Sequence, residues 1–108
     1  MTAVAQYDVH ANPNAQQRQA FPYLVELQSD QLGHYSTRLM MPLARLPSVP
    51  ADLPRRLTET VEVDGERFYL AAHLCAPFPA PLLRRPVASL RHQAAVFVDA
   101  LDAIVSGV

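Results

Sequence analysis

Thr58-Glu59-Thr60-Val61-Glu62-Val63-Asp64-Gly65-Glu66-Arg67-Phe68-Tyr69-Leu70-Ala71-Ala72 is the stretch that decides the fold. Two strand-like runs flank an Asp-Gly pair. A two-residue turn needs positive φ at both central positions, and Asp-Gly supplies it at low steric cost. The stretch therefore predicts a tight β-hairpin.

Working outward, residues 37–44, Thr-Arg-Leu-Met-Met-Pro-Leu-Ala, form an apolar run. Pro42 cannot donate to a ladder, so this strand is expected at an edge, or bent there. Residues 22–29 and 4–9 read as two further strands, separated by a polar loop from His10 to Ala20, with a turn at Asp30–Ser36 around Gly33. Between residues 45 and 57, Pro47, Pro50 and Pro54 exclude regular helix and predict a surface excursion. Pro77, Pro79, Pro81 and Pro86 permit only short edge strands.

From Ala88 the period changes to 3.6. Leu90, Ala94, Phe97, Leu101, Ile104 and Val108 draw one apolar stripe, with His92, Asp99, Asp102 and Ser106 on the other side and Ser89 as N-cap. The expected architecture is α+β, mainly β: antiparallel strands with one C-terminal helix packed on them. At 108 residues the chain is expected to be one domain over 1–108.

Composition excludes several function classes. A net charge of −1 does not suit a protein that wraps nucleic acid. All nine basic side chains are Arg, as suits either a GC-rich coding sequence or planar contacts to a macromolecule. One cysteine, Cys75, permits no internal disulfide and suits a reducing cytoplasm. No signal peptide or bilayer-spanning run is read, and no cofactor is expected. His10, His34, His73 and His92 lack metal-ligand spacing, and three glycines build no phosphate loop. Cys75 reads as a small buried thiol, and Ser29-Asp30 as a strand end bonding its own turn. Arg55-Arg56 and Arg84-Arg85 read as solvated surface. No catalytic residue is assigned.

Several segments resemble the CcdB toxins of bacterial type II toxin–antitoxin modules. They are Val25-Glu26-Leu27-Gln28-Ser29-Asp30, Arg38-Leu39-Met40-Met41-Pro42-Leu43-Ala44, the hairpin Val61–Glu66 with Phe68, and Val87-Ala88-Ser89-Leu90-Arg91-His92 before a helix. The resemblance implies an SH3-like antiparallel barrel with a small extra sheet and a C-terminal helix, and a homodimer. It implies binding to the DNA gyrase A subunit and trapping of its cleaved-DNA complex. A cognate antitoxin would neutralise the toxin, and the pair would co-repress their operon, with DNA reached only through the antitoxin. Carried over by position, the gyrase contacts fall on Ser106, Gly107 and Val108, on Asp102, and on Gln31 and Leu32. The best-known family pattern carries Trp where this chain has Ser106; that ring stacks on a gyrase Arg, worth about 0.5–2 kcal/mol. Two other readings stand beside this one. One is an antitoxin-binding co-repressor that does not poison gyrase. The other is a MazF-like ribonuclease toxin in which Arg38 or Arg67 meets a phosphate.

Overall fold

A computed structural model describes residues 5–32, 34–49, 51–53 and 59–106. In chain order the strands are β1 (Asp8–Ala11), β2 (Tyr23–Glu26), β3 (Thr37–Arg45), β4 (Thr60–Val63), β5 (Glu66–Leu70), β6 (Ala76–Pro79) and β7 (Ala88–Ser89), followed by the helix α1 (Ala94–Ser106). All pairings are antiparallel. The order is β4-β5-β3-β2-β1-β7, with β6 on the same edge of β3 as β5. The sheet curls into a nearly closed barrel with one C-terminal helix, an α+β, mainly β architecture. The two end strands approach at a cleft of about 290 Å³ lined by Tyr23, Val63, Asp64, Val87 and Ala88.

The hairpin forms as its sequence dictates. Val63 faces Glu66, leaving Asp64 (φ 52°) and Gly65 (φ 81°) as the two-residue turn. A Cβ on Gly65 would meet no atom within 4 Å, so only the backbone conformation resists substitution there. Gly65→Ala is expected to cost about 1 kcal/mol. That should lower the melting temperature by about 4–8 °C. An unchanged melting temperature would show that the turn relaxes out of positive φ.

The expectation that 37–44 is an edge strand is corrected. β3 is central, pairing with β2 on one side and with β6 and then β5 on the other. Pro42 is tolerated because of where the partner changes. β6 pairs with Thr37–Met40 and β5 with Leu43–Arg45, so Pro42 falls in the handover. Its carbonyl accepts from Ala71 N at 3.0 Å on that side, where its missing N–H also points.

The first strand begins later than expected. Tyr7 sits at φ 69°, and Asp8 N closes a turn onto Ala5 O, so extended pairing starts only at Asp8. β2 likewise ends at Glu26 rather than residue 29. The polar loop is organised by Asn12, whose Nδ2 donates to Phe21 O while its Oδ1 accepts from Asn14 N. The Pro-rich stretches hold β6 and short 3-10 turns at Leu46–Ser48 and Ala80–Leu82, and no α-helix among their described residues.

The helix start is also corrected. Ala88 and Ser89 pair with Val9 and Asp8 as β7, and Leu90 N donates to Tyr7 O. These sheet bonds hold the backbone extended past Ser89. Ser89 Oγ accepts from Arg91 N at 3.4 Å, serving a 3-10 turn at Arg91–Gln93 that leads into α1. The buried stripe is rotated from the expected one. Phe97, Ala100 and Ala103 are buried, Leu101 is half-buried, and Ile104 is exposed. Val108 lies outside the described residues.

The main core lies between one face of the sheet and α1. Val9, Val25, Met41, Leu43, Phe68 and Leu70 pack there with Phe97 and Ala100. Tyr7 meets the Phe97 ring at 5.5 Å, and Tyr23 meets Phe68 edge-on at 5.3 Å. Such contacts add to plain apolar burial.

Candidate functional site

Four of the six residues predicted as contacts are described, Gln31 and Leu32 in a turn and Asp102 and Ser106 at a helix tip. The turn follows β2. Ser29 Oγ accepts from Gln31 N at 3.3 Å, and Leu32 N donates to Ser29 O, so Ser29 shapes its own turn as its sequence suggests. Asp30 takes a backbone N–H from Gln6 at 2.7 Å and an Arg91 guanidinium N–H at 3.3 Å. The Gln6 bond first, then Arg91, holds the Asp30 carboxyl below its usual range. Gln28 zips the base of the turn: its Nε2 donates to Leu32 O and Thr37 O, and its Oε1 accepts from Leu39 N. Gln31 and Leu32 are thereby presented to solvent on a fixed backbone, both exposed.

The second patch is the far end of α1. Asp102 and Ser106 are one helical turn apart and exposed. Ser106 Oγ donates to Asp102 O at 2.7 Å, satisfying a carbonyl near the end of the helix. Beside them Val98 is 50% and Val105 86% exposed, so apolar side chains at i and i+7 face outward. Gly107 and Val108 lie outside the described residues. Arg91 ties the turn to the start of the helix, whereas Ser106 is at its end. Twelve helical steps separate Ala94 from Ser106, about 18 Å of rise. The turn and the tip are thus at opposite ends of one element.

Residues weighed for chemistry take structural places. Burial pushes the Cys75 thiol up to about 11, which suits packing and not nucleophilic attack. His10 is fully buried, and its Nδ1 donates to Arg84 O at 2.6 Å. His73 Nδ1 meets the Tyr69 hydroxyl at 3.4 Å, and His34 stacks beside Tyr35. Among the described residues no three His, Cys, Asp or Glu side chains gather in a metal-binding group. Arg38 is 6% exposed and ion-paired with Glu26 (Nε–Oε1 3.4 Å), so it does not present its guanidinium to a phosphate. Arg67 is exposed and donates to Thr60 Oγ1. Arg84 and Arg85 are exposed, while Arg55 and Arg56 fall outside the described residues.

The family model described as CcdB protein matches residues 6–107. The chain belongs to the CcdB family. The matched span takes in every described strand, the 29–32 turn and the helix tip. As a CcdB-family protein it is a toxin of a toxin–antitoxin system, a class that is not a classical enzyme. Gyrase and an antitoxin are the partners that CcdB membership implies in general. A search of curated proteins found no match. No helix among the described residues of this CcdB-family chain is long and apolar enough to cross a membrane.

One buried ion pair is absent from the sequence analysis: Glu26 beside Arg38. The signal was available. In a strand, Glu26 shares a face with Leu24, and Arg38 shares one with Met40. A charge on the same face as a large apolar residue on each of two strands is a buried-pair signature.

Proposed function

We propose that this toxin inhibits DNA gyrase by binding its A subunit and trapping the cleaved-DNA complex, through Asp102 and Ser106 at the helix end, Gly107 and Val108 next in sequence, and Gln31 and Leu32 in the turn. The carrying observation is the helix tip. Asp102, Val105 and Ser106 stand in solvent there, with an apolar side chain almost wholly exposed beside two polar ones. Exposed apolar surface rimmed by polar groups marks a contact site for another macromolecule. Without an aromatic ring at position 106, Val105 becomes the large apolar group that such a contact would bury. A cognate antitoxin neutralises the toxin, and the two repress their own operon together. The toxin acts as a homodimer, so two tips and two turns are offered to one target.

The test is to add the intact protein to gyrase, supercoiled plasmid and ATP, and to look for linear DNA after denaturing the enzyme. Linear DNA is expected. Deleting Ser106–Val108 should abolish it while circular dichroism and antitoxin binding are retained. A folded protein that binds its antitoxin yet yields no linear DNA would overturn gyrase poisoning in favour of a non-poisoning co-repressor. That second reading draws on Ser106, whose hydroxyl is already bonded within the helix.

A further inference from the structure

The sheet's second face carries a buried charge cluster that the contacts above leave unused. Side chains alternate along a strand, so Asp8 and His10 on β1, Leu24 and Glu26 on β2, and Arg38 and Met40 on β3 share this face. Glu26 is 1% exposed. Among the described residues neither of its carboxylate oxygens accepts a hydrogen bond, although the Arg38 guanidinium stands 3.4 Å away. The charged groups facing it are Arg38 from β3, Asp8 from β1 and Asp30 from the turn. Asp8 is engaged locally, accepting from Ala5 N.

Glu26 and Arg38 sit at the two feet of the loop 27–37. Leu27 N donates to Leu39 O across the base, and Gln28 ties Leu32 and Thr37 together above it. At the tip, Asp30 is held by Gln6 and Arg91 and also feels the charge of Arg38. The Arg38 charge thus acts on two carboxylates, Glu26 at the loop's foot and Asp30 further along it.

We propose that Glu26 and Arg38 form a proton-operated latch at the base of the 27–37 loop, whose state is passed through Asp30 to Gln31 and Leu32. With Glu26 ionised, the guanidinium is drawn to the foot. With Glu26 protonated, that attraction weakens and the balance of charge acting on Asp30 changes, shifting the turn. The desolvated site makes the switch operate in the neutral range: burial pushes the Glu26 carboxyl up to about 7, against the opposing pull of Arg38 and with the help of Asp8 and Asp30. The latch stands apart from the gyrase reading. That reading only adds a consequence, target binding that varies with pH.

The experiment is an NMR titration of the intact protein between pH 5 and 8.5, following the Glu26 carboxyl carbon, the Gln31 and Leu32 amides and the Arg38 Nε. A shared midpoint near 7 is expected for all four. Glu26→Gln should remove that midpoint from the turn amides. His34 lies in the same loop and carries a titratable ring, so His34→Gln is the control and should leave the midpoint in place. A Glu26 carboxyl titrating at its ordinary value of 4.5 would overturn the proposal. So would turn amides that lose their titration with His34→Gln. If Glu26→Gln does not fold, the wild-type and His34→Gln titrations decide alone.

Discussion

Phe97→Ala is expected to destabilise the protein by about 3–5 kcal/mol. Phe97 is fully buried, stacks against Tyr7 and fills the space between α1 and the sheet. Its helix neighbours in the interface are alanines, Ala100 and Ala103, which bring the helix axis close but supply little apolar area of their own. The large side chains around the ring, Tyr7 among them, are held by their own packing in the sheet core, so they refill only part of the cavity that truncation leaves. A domain of this size has a total stability of about 5–15 kcal/mol, so the loss is a large share of it. Urea denaturation at fixed protein concentration measures it, since any dimerisation would make the midpoint concentration-dependent. Phe97→Leu, which keeps most of the volume, should cost much less. A loss below about 1 kcal/mol for Phe97→Ala would mean that the helix is not anchored through this ring.

The second large effect is a fall in stability with rising pH. The Glu26 carboxyl is raised from 4.5 to about 7 by burial, so between those values the folded state holds a proton that the unfolded state has released. Where the folded state binds more protons, stability falls as pH rises. The contribution is complete below about 4.5 and is lost as pH passes 7. The span corresponds to about 3 kcal/mol. Asp30 acts in the opposite sense in a different window. Its carboxyl is lowered from 3.8, so its contribution is present above that value and is lost only in acid. Urea unfolding at pH 5.5 and 8.5 should show the wild type weaker at the higher pH, and Glu26→Gln should flatten the profile. Groups other than Glu26 titrate in both proteins and cancel in the comparison. Parallel profiles for the two proteins would refute the shift. A constant offset between them would measure only the cost of replacing the carboxyl that faces buried Arg38.

The places where sequence reasoning fell short share a cause. The helical period extends back to Leu90 and predicts a helix start near Ala88. Yet Ala88 and Ser89 pair with Val9 and Asp8 of β1, and the flanking bonds from Val87 N to Val9 O and from Leu90 N to Tyr7 O hold both residues extended. The sequence period puts the apolar stripe through Leu101 and Ile104, the large residues, whereas the buried positions are Ala100 and Ala103. Alanine is read as neutral along a chain and becomes decisive only when another element comes within its short reach. Pro42 argued for an edge until the handover from β6 to β5 gave its missing N–H a place to go. For the candidate site, the resemblance carried Asp102, Ser106, Gln31 and Leu32 as positions on a line. It did not say that the turn is tied to the helix start by Asp30 and Arg91, with the tip at the other end.

What the sequence determined by itself was local: the Asp64-Gly65 hairpin, the strand-forming runs, the exclusion of helix from the proline-rich stretches and the presence of a C-terminal amphipathic helix. Each follows from backbone sterics or from a period within a few consecutive residues. Only the tertiary structure decided which strand is central, where the helix starts, which of its faces is covered and that Glu26 and Arg38 are buried together. These depend on pairings between residues far apart in the chain, where burial and competing hydrogen bonds outweigh the local preference of any one segment.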